Sequence, residues 1–103
     1  GNVGIGTTAP GYRLEVMESS ATWISRIYNT GTGNGLLVRV DSASSDAIFS
    51  THNGTDHLLV VKGDGKVGIG TYSPSYKLHV AGDYIFVADS GRKYDFSDFW
   101  KRL

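Results

Sequence analysis

"GNVGIGTTAPGYRLEV" spans residues 1–16 and "GKVGIGTYSPSYKLHV" spans residues 65–80. They align without a gap, 64 residues apart, with ten of sixteen positions identical. Each contains "VGIGT", in which a large apolar residue alternates with glycine. Successive side chains of a strand face opposite ways. Val3 and Ile5 therefore share one face in the first copy, as do Val67 and Ile69 in the second. Gly4, Gly6, Gly68 and Gly70 leave the other face bare. Each glycine inside a strand costs about 0.5–1 kcal/mol relative to alanine, so repeating the pattern in phase implies a use. A bare face admits a second backbone at close range. That backbone belongs either to a neighbouring chain across a symmetry axis or to the same chain wound back on itself. A simpler reading is that the glycines supply positive φ in a tight turn. It accounts well for a single glycine and poorly for the alternation.

The rest of the composition narrows the function. Ten basic and ten acidic residues cancel, which leaves no cationic surplus for nucleic acid or an anionic membrane. No stretch approaches the ~18 apolar residues of a membrane span, so membrane insertion is not expected. No signal peptide is visible. Cysteine is absent, which excludes thiol catalysis, thiolate metal sites and disulfide staples. Outside a cell, stability would have to come from elsewhere. The hydrophobic fraction is 40% and glycine reaches 14 residues, roughly twice the average of about 7%. At 103 residues and without an initial Met, the chain reads as one domain or a slice of something longer.

Between the repeats the chain alternates strand-like runs with turns. "TWISRIYN" (22–29), "LLVRV" (36–40), "AIFST" (47–51) and "HLLVVK" (57–62) are rich in β-branched and aromatic residues. "NTGTGNG" (29–35), "DSASSD" (41–46) and "HNGTD" (52–56) are turn sequences. "KGDGK" (62–66) predicts a hairpin into the second "VGIG". Tyr12, Leu14 and Val16 alternate with Arg13 and Glu15, and Tyr76, Leu78 and Val80 with Lys77 and His79, the period of half-buried strands. Pro10 and Pro74 stand at the same point of each repeat and are expected to end the "VGIGT" strand and set the turn that follows. In "DFSDFWKRL" (95–103), Phe96, Phe99, Trp100 and Leu103 fit one face of a short helix. The same region also reads as a hairpin turning at Ser90-Gly91.

The paired segments resemble the G-x-V-G-I-G-T-x-x-P-x-x-[KR]-L-x-V repeats of trimeric bacteriophage tail fibres and tail spikes and of related bacterial surface fibre and adhesin proteins. The resemblance covers both sixteen-residue copies closely. It implies an all-β, intertwined homotrimeric fibre segment, a β-prism or β-helix-like shaft of short strands. The chain then divides into a first shaft repeat (1–16), a β-rich insert (17–64), a second shaft repeat (65–80) and a C-terminal segment (81–103). Val3, Gly4, Ile5, Gly6, Val67, Gly68, Ile69 and Gly70 become the trimer-packing residues. Burying apolar faces at a shared axis also removes exposed strand edges. Such repeats often precede an endosialidase-type intramolecular chaperone beginning S-D-x-R-L-K. Ser97-Asp98 is followed here by "FWKRL", a departure from that start. The resemblance thus implies the shaft and leaves the route of assembly open.

The implied function is mechanical: a fibre segment on a virion tail or bacterial surface that presents a recognition tip to a host or partner cell. Its partners are two further copies of itself and, through the tip, a surface glycan or other receptor. The alternative is a monomeric β-sandwich that binds carbohydrate through Trp23, Tyr28 or Tyr72. Sugar rings present an apolar face on which aromatics stack, although aromatics are equally normal in strands and interfaces. Catalysis is not expected. The aspartates lie in or beside turns, where they are common anyway, and nothing positions a carboxylate pair. "GDGKVG" (63–68) meets the G-x-G-x-x-G spacing, but a strand rather than a helix follows. No cofactor or metal is expected. His52 and His57 flank one turn, His79 stands apart, and none has a partner at metal-ligand spacing. Asn53-Gly54-Thr55 fits a glycosylation acceptor and reads more simply as a turn.

Overall fold

The computed structural model describes residues 1–82 and 84–86. All regular structure among them is β. The helix or hairpin expected over the last residues, and with it Trp100, lies outside the described residues. The chain divides into two units, Gly1–Leu37 and Val38–Leu103.

In the first unit, β1 (Val3–Ile5) pairs in parallel with β2 (Leu14–Val16). The register sets Val3 against Leu14 and Ile5 against Val16. Parallel neighbours usually need a connection of a dozen or more residues. Residues 6–13 manage it because Gly6 reverses the chain at φ 81°. The amide of Val3 donates to the carbonyl of Arg13, and that of Met17 to Ile5, each at 2.8 Å. The second unit repeats the device. Here β5 (Val67–Ile69) runs parallel to β6 (Leu78–Val80), with Gly70 at φ 78°. Val67 donates to Lys77 at 2.8 Å and Ala81 to Ile69 at 2.9 Å.

The second unit adds a hairpin, β3 (Ala47–His52) and β4 (His57–Lys62). The four strands lie in the order β3-β4-β5-β6, antiparallel except for the last pair. The "HNGTD" turn closes on Asn53, whose Oδ1 accepts from Thr55 and Asp56 amides at 3.0 and 2.7 Å. The acceptor motif is therefore a turn built by its own asparagine side chain. "GDGKVG" is likewise the β4–β5 turn. Gly65 donates to the Lys62 carbonyl at 3.0 Å, and Asp64 Oδ1 accepts from the Lys66 amide at 3.1 Å.

Three expectations need correction. Residues 22–29 and 36–40 form no strand. Their composition suits a pleated surface, but strand preference reflects packing on neighbours rather than an intrinsic backbone choice, and among the described residues no neighbouring strand pairs with them. The prolines do not end the strands: β1 and β5 stop at Ile5 and Ile69, and the reversal belongs to the glycine that follows. Nor do the described residues of either unit form a β-sandwich; in each they make one sheet.

Candidate self-association surface

The register of the four-stranded sheet assembles two cross-strand rows on one face. Phe49, Val61, Val67 and Leu78 form the first; Thr51, Leu59, Ile69 and Val80 the second. Seven of these eight side chains are apolar, and the chain buries none of them fully. Ile69 is 43% exposed, and Leu78 and Phe49 are exposed as well. The first unit carries the shorter version, Val3 and Ile5 beside Leu14 and Val16, with Ile5 58% exposed.

The opposite face of the second unit holds the row Ser50, Val60, Gly68 and His79. The arm "TYSP" (71–74) folds over it. Val60 is 0% exposed and is the one buried hydrophobic side chain among the described residues.

This arm also explains the alternating glycines. A Cβ on Gly4 would lie 2.6 Å from the carbonyl oxygen of Thr7 and 3.3 Å from Pro10 Cβ. A Cβ on Gly68 would collide with the Thr71 carbonyl and touch Pro74. The arms are held over those glycines by their threonines, whose Oγ1 atoms accept from the Ala9 and Ser73 amides at 3.2 and 3.1 Å. Gly4 and Gly68 thus admit the chain's own backbone, while Gly6 and Gly70 provide positive φ. Both explanations hold, at different glycines, and neither pair needs a neighbouring chain to account for it. Of the expected packing residues, Val3, Ile5, Val67 and Ile69 face the open side. Pro10 and Pro74 are the caps of the arms.

The candidate glycan contacts are scattered. Trp23 is 94% exposed and Tyr28 is exposed, both in the irregular segment of the first unit. The Arg26 guanidinium lies 3.9 Å above the Tyr28 ring. Tyr72 belongs to the second unit and is already occupied: Lys62 Nζ stands 3.5 Å over its ring, and the His57 ring packs at 4.5 Å. A search of protein families and of curated proteins finds no match to this chain.

Two of the three histidines meet within one chain. His52 and His57 pack edge to face at 4.7 Å. Their ring nitrogens are engaged locally, His52 Nδ1 accepting from the Gly54 amide at 2.9 Å and His57 Nδ1 lying 2.8 Å from Ser50 Oγ. His79 Nδ1 accepts from the Ser75 amide. Among the described residues no group of three His, Asp or Glu is placed to hold a metal.

Sequence reasoning missed Lys62. It is 6% exposed, unusual for a lysine. The signal was present in "HLLVVK", where Lys62 follows Val60 by two and so shares its covered face.

Proposed function

We propose that this chain is a structural segment of a homotrimeric adhesive fibre, on a virion tail or bacterial surface, that presents a recognition tip. The observation that supports this reading is the open apolar face. Two rows of Phe, Val, Leu and Ile lie on one side of the sheet, while the described residues bury a single hydrophobic side chain fully. Withdrawing one Leu, Ile or Phe side chain from water contributes about 1.5–3 kcal/mol. A chain that leaves most of them wet lacks the means to offset its ordering entropy. Copies that press these faces together supply the missing interior. The number three comes from the resemblance of the repeats to trimeric fibres. The face itself supports a need for partners without counting them.

The paired strands suit a shaft. Each repeat is a parallel pair with its own folded arm, and each offers the same residue positions outward. Stacked along an axis, such units extend rather than enclose. The test is mass by light scattering at micromolar concentration. A species of about 33 kDa, three times the 11.1 kDa chain, is the expected result. A stable monomer with native strand content overturns the reading.

A further inference from the structure

The turn between β3 and β4 runs His52-Asn53-Gly54-Thr55-Asp56, and every residue of it is exposed. Its hydrogen bonds converge on one pair of atoms, the Gly54 nitrogen and the Asn53 side-chain carbonyl. The Gly54 amide donates to His52 Nδ1 at 2.9 Å. Asn53 Oδ1 accepts from the Thr55 and Asp56 amides at 3.0 and 2.7 Å. Those two bonds fold the Asn53 side chain forward over the peptide that joins it to Gly54. A backbone nitrogen that follows an asparagine can attack the side-chain carbonyl carbon and close a five-membered imide. Three things ordinarily hold that reaction back: the N–H must lose its proton, charge builds on the carbonyl oxygen, and the next side chain crowds the nitrogen. Here a basic ring nitrogen already sits on the proton. Two backbone amides already point at the oxygen that gains charge. Gly54 has no side chain, stands at φ 95° and has no atom within 4 Å of where a Cβ would lie. The His52 ring is held in place by the His57 ring, edge to face at 4.7 Å. A second Asn-Gly pair, Asn34-Gly35, lacks this apparatus. The Asn34 backbone carbonyl accepts from Asn29 Nδ2 at 2.8 Å, but among the described residues its side-chain amide makes no hydrogen bond and the Gly35 amide meets no imidazole.

We propose that Asn53 is a self-modification site, converted to aspartate and isoaspartate by its own turn with His52 as the base. The Gly54 nitrogen forms a bond to Asn53 Cγ while its proton passes to His52 Nδ1. The Thr55 and Asp56 amides hold the negative charge on Oδ1. The bond from Cγ to Nδ2 then breaks, the proton carried by His52 goes to the departing nitrogen through water, and ammonia leaves. His52 is neutral again. Water next adds to one of the two imide carbonyls and opens the ring, to aspartate at one and to isoaspartate at the other. The sum is one water consumed and one ammonia released, with no oxidant or reductant. Holding nucleophile, base and oxyanion donors in one five-residue turn removes most of the orientational cost of the step. The product places a new carboxylate in the hairpin, and isoaspartate also lengthens the backbone by one carbon, so the turn that sets the β3–β4 pairing changes with the age of the protein. Only the turn is needed for this, and the inference is independent of self-association.

Peptide-mapping mass spectrometry of the full chain, incubated at neutral pH with and without concentrated urea, tests the proposal. Each conversion adds about 1 Da at an identified asparagine. In the folded chain Asn53 should convert at least about threefold faster than Asn34, whereas in urea, where the turn is lost, the two should agree within about twofold. His52→Thr should slow Asn53 by about threefold or more and leave Asn34 unchanged, because a hydroxyl can still accept from the Gly54 amide but is no base. That variant separates catalysis from mere ordering of the turn: if the histidine only stiffened the loop, its loss would leave the rate alone or raise it. Should His52→Thr fail to fold by circular dichroism, the folded-against-urea comparison of the two asparagines in the parent chain decides. Folded Asn53 reacting no faster than Asn34 overturns the assignment, as does an unchanged or faster rate in folded His52→Thr.

Discussion

Gly6 and Gly70 leave their strands at φ 81° and 78°, a region that costs an ordinary residue about 1–2 kcal/mol. Space forbids a side chain there too, because a Cβ on Gly70 would lie 2.7 Å from the Ala81 carbonyl, and one on Gly6 would collide with that of Met17. Gly70→Ala should therefore destabilise by about 2 kcal/mol or more, read as a fall in thermal midpoint by circular dichroism. Gly68→Ala should also destabilise, through the Thr71 carbonyl rather than through φ. Gly11 has negative φ and open space around it, and Gly11→Ala should stay within about 0.5 kcal/mol of the parent. Equal effects at all three positions would mean that the arm does not fold as described. The contrast separates two jobs that the repeated "VGIG" compresses into adjacent positions. It also shows why alternation alone did not reveal them: a glycine needed for φ and a glycine needed for space look identical in sequence.

At the level of the element, β4 carries opposite demands on its two faces. Val60, paired with the arm-covered Gly68, is fully buried, while Leu59, next to it in sequence, lies on the open side. Val60→Ala should cost about 2 kcal/mol in the stability of the single chain. Leu59→Lys and Ile69→Lys should leave the fold of an isolated chain nearly unchanged, because water already reaches both positions. In an assembly they should act sharply, each placing an ammonium in a desolvated interface. The expected result is a shift of the light-scattering mass from about 33 kDa toward the 11.1 kDa chain, with strand content of residues 47–80 retained. Loss of fold with no change in mass would place these residues in a core instead. The two strands of the β3–β4 hairpin and the turn between them were legible beforehand because 47–51 and 57–62 combine β-branched residues with an Asn-Gly turn whose geometry is locally enforced. The parallel pairing inside each repeat was not. Alternation shows that Leu14 and Val16 share a face but says nothing of which strand lies beside them, and a connection as short as 6–13 argues against a parallel neighbour until Gly6 is seen to reverse the chain. Residues 22–29 and 36–40 failed in the other direction, since their composition describes a surface to be covered and the described residues of the single chain offer none.

For the whole molecule, the proposed assembly through the open faces predicts that stability is a function of concentration. A self-sufficient fold melts at one temperature however dilute it is. A fold completed by identical copies gains stability by mass action, and its melting temperature rises with protein concentration. Over a hundredfold concentration range the midpoint should climb by several degrees for the parent chain and stay fixed for Ile69→Lys. The charge balance sharpens the expectation. With ten basic and ten acidic residues, long-range repulsion between copies is small, so raising sodium chloride from 0.05 to 0.5 M should barely move the midpoint, since screening has little net charge to act on. Sulfate at the same ionic strength should raise it, because excluded salts strengthen apolar burial. Strong sodium chloride dependence would point to ion pairs between chains as the adhesive force and would leave the apolar rows of Phe49, Val61, Val67, Leu78, Leu59, Ile69 and Val80 without a role. A midpoint independent of concentration, together with the sulfate effect, would mean that the rows are buried within one chain.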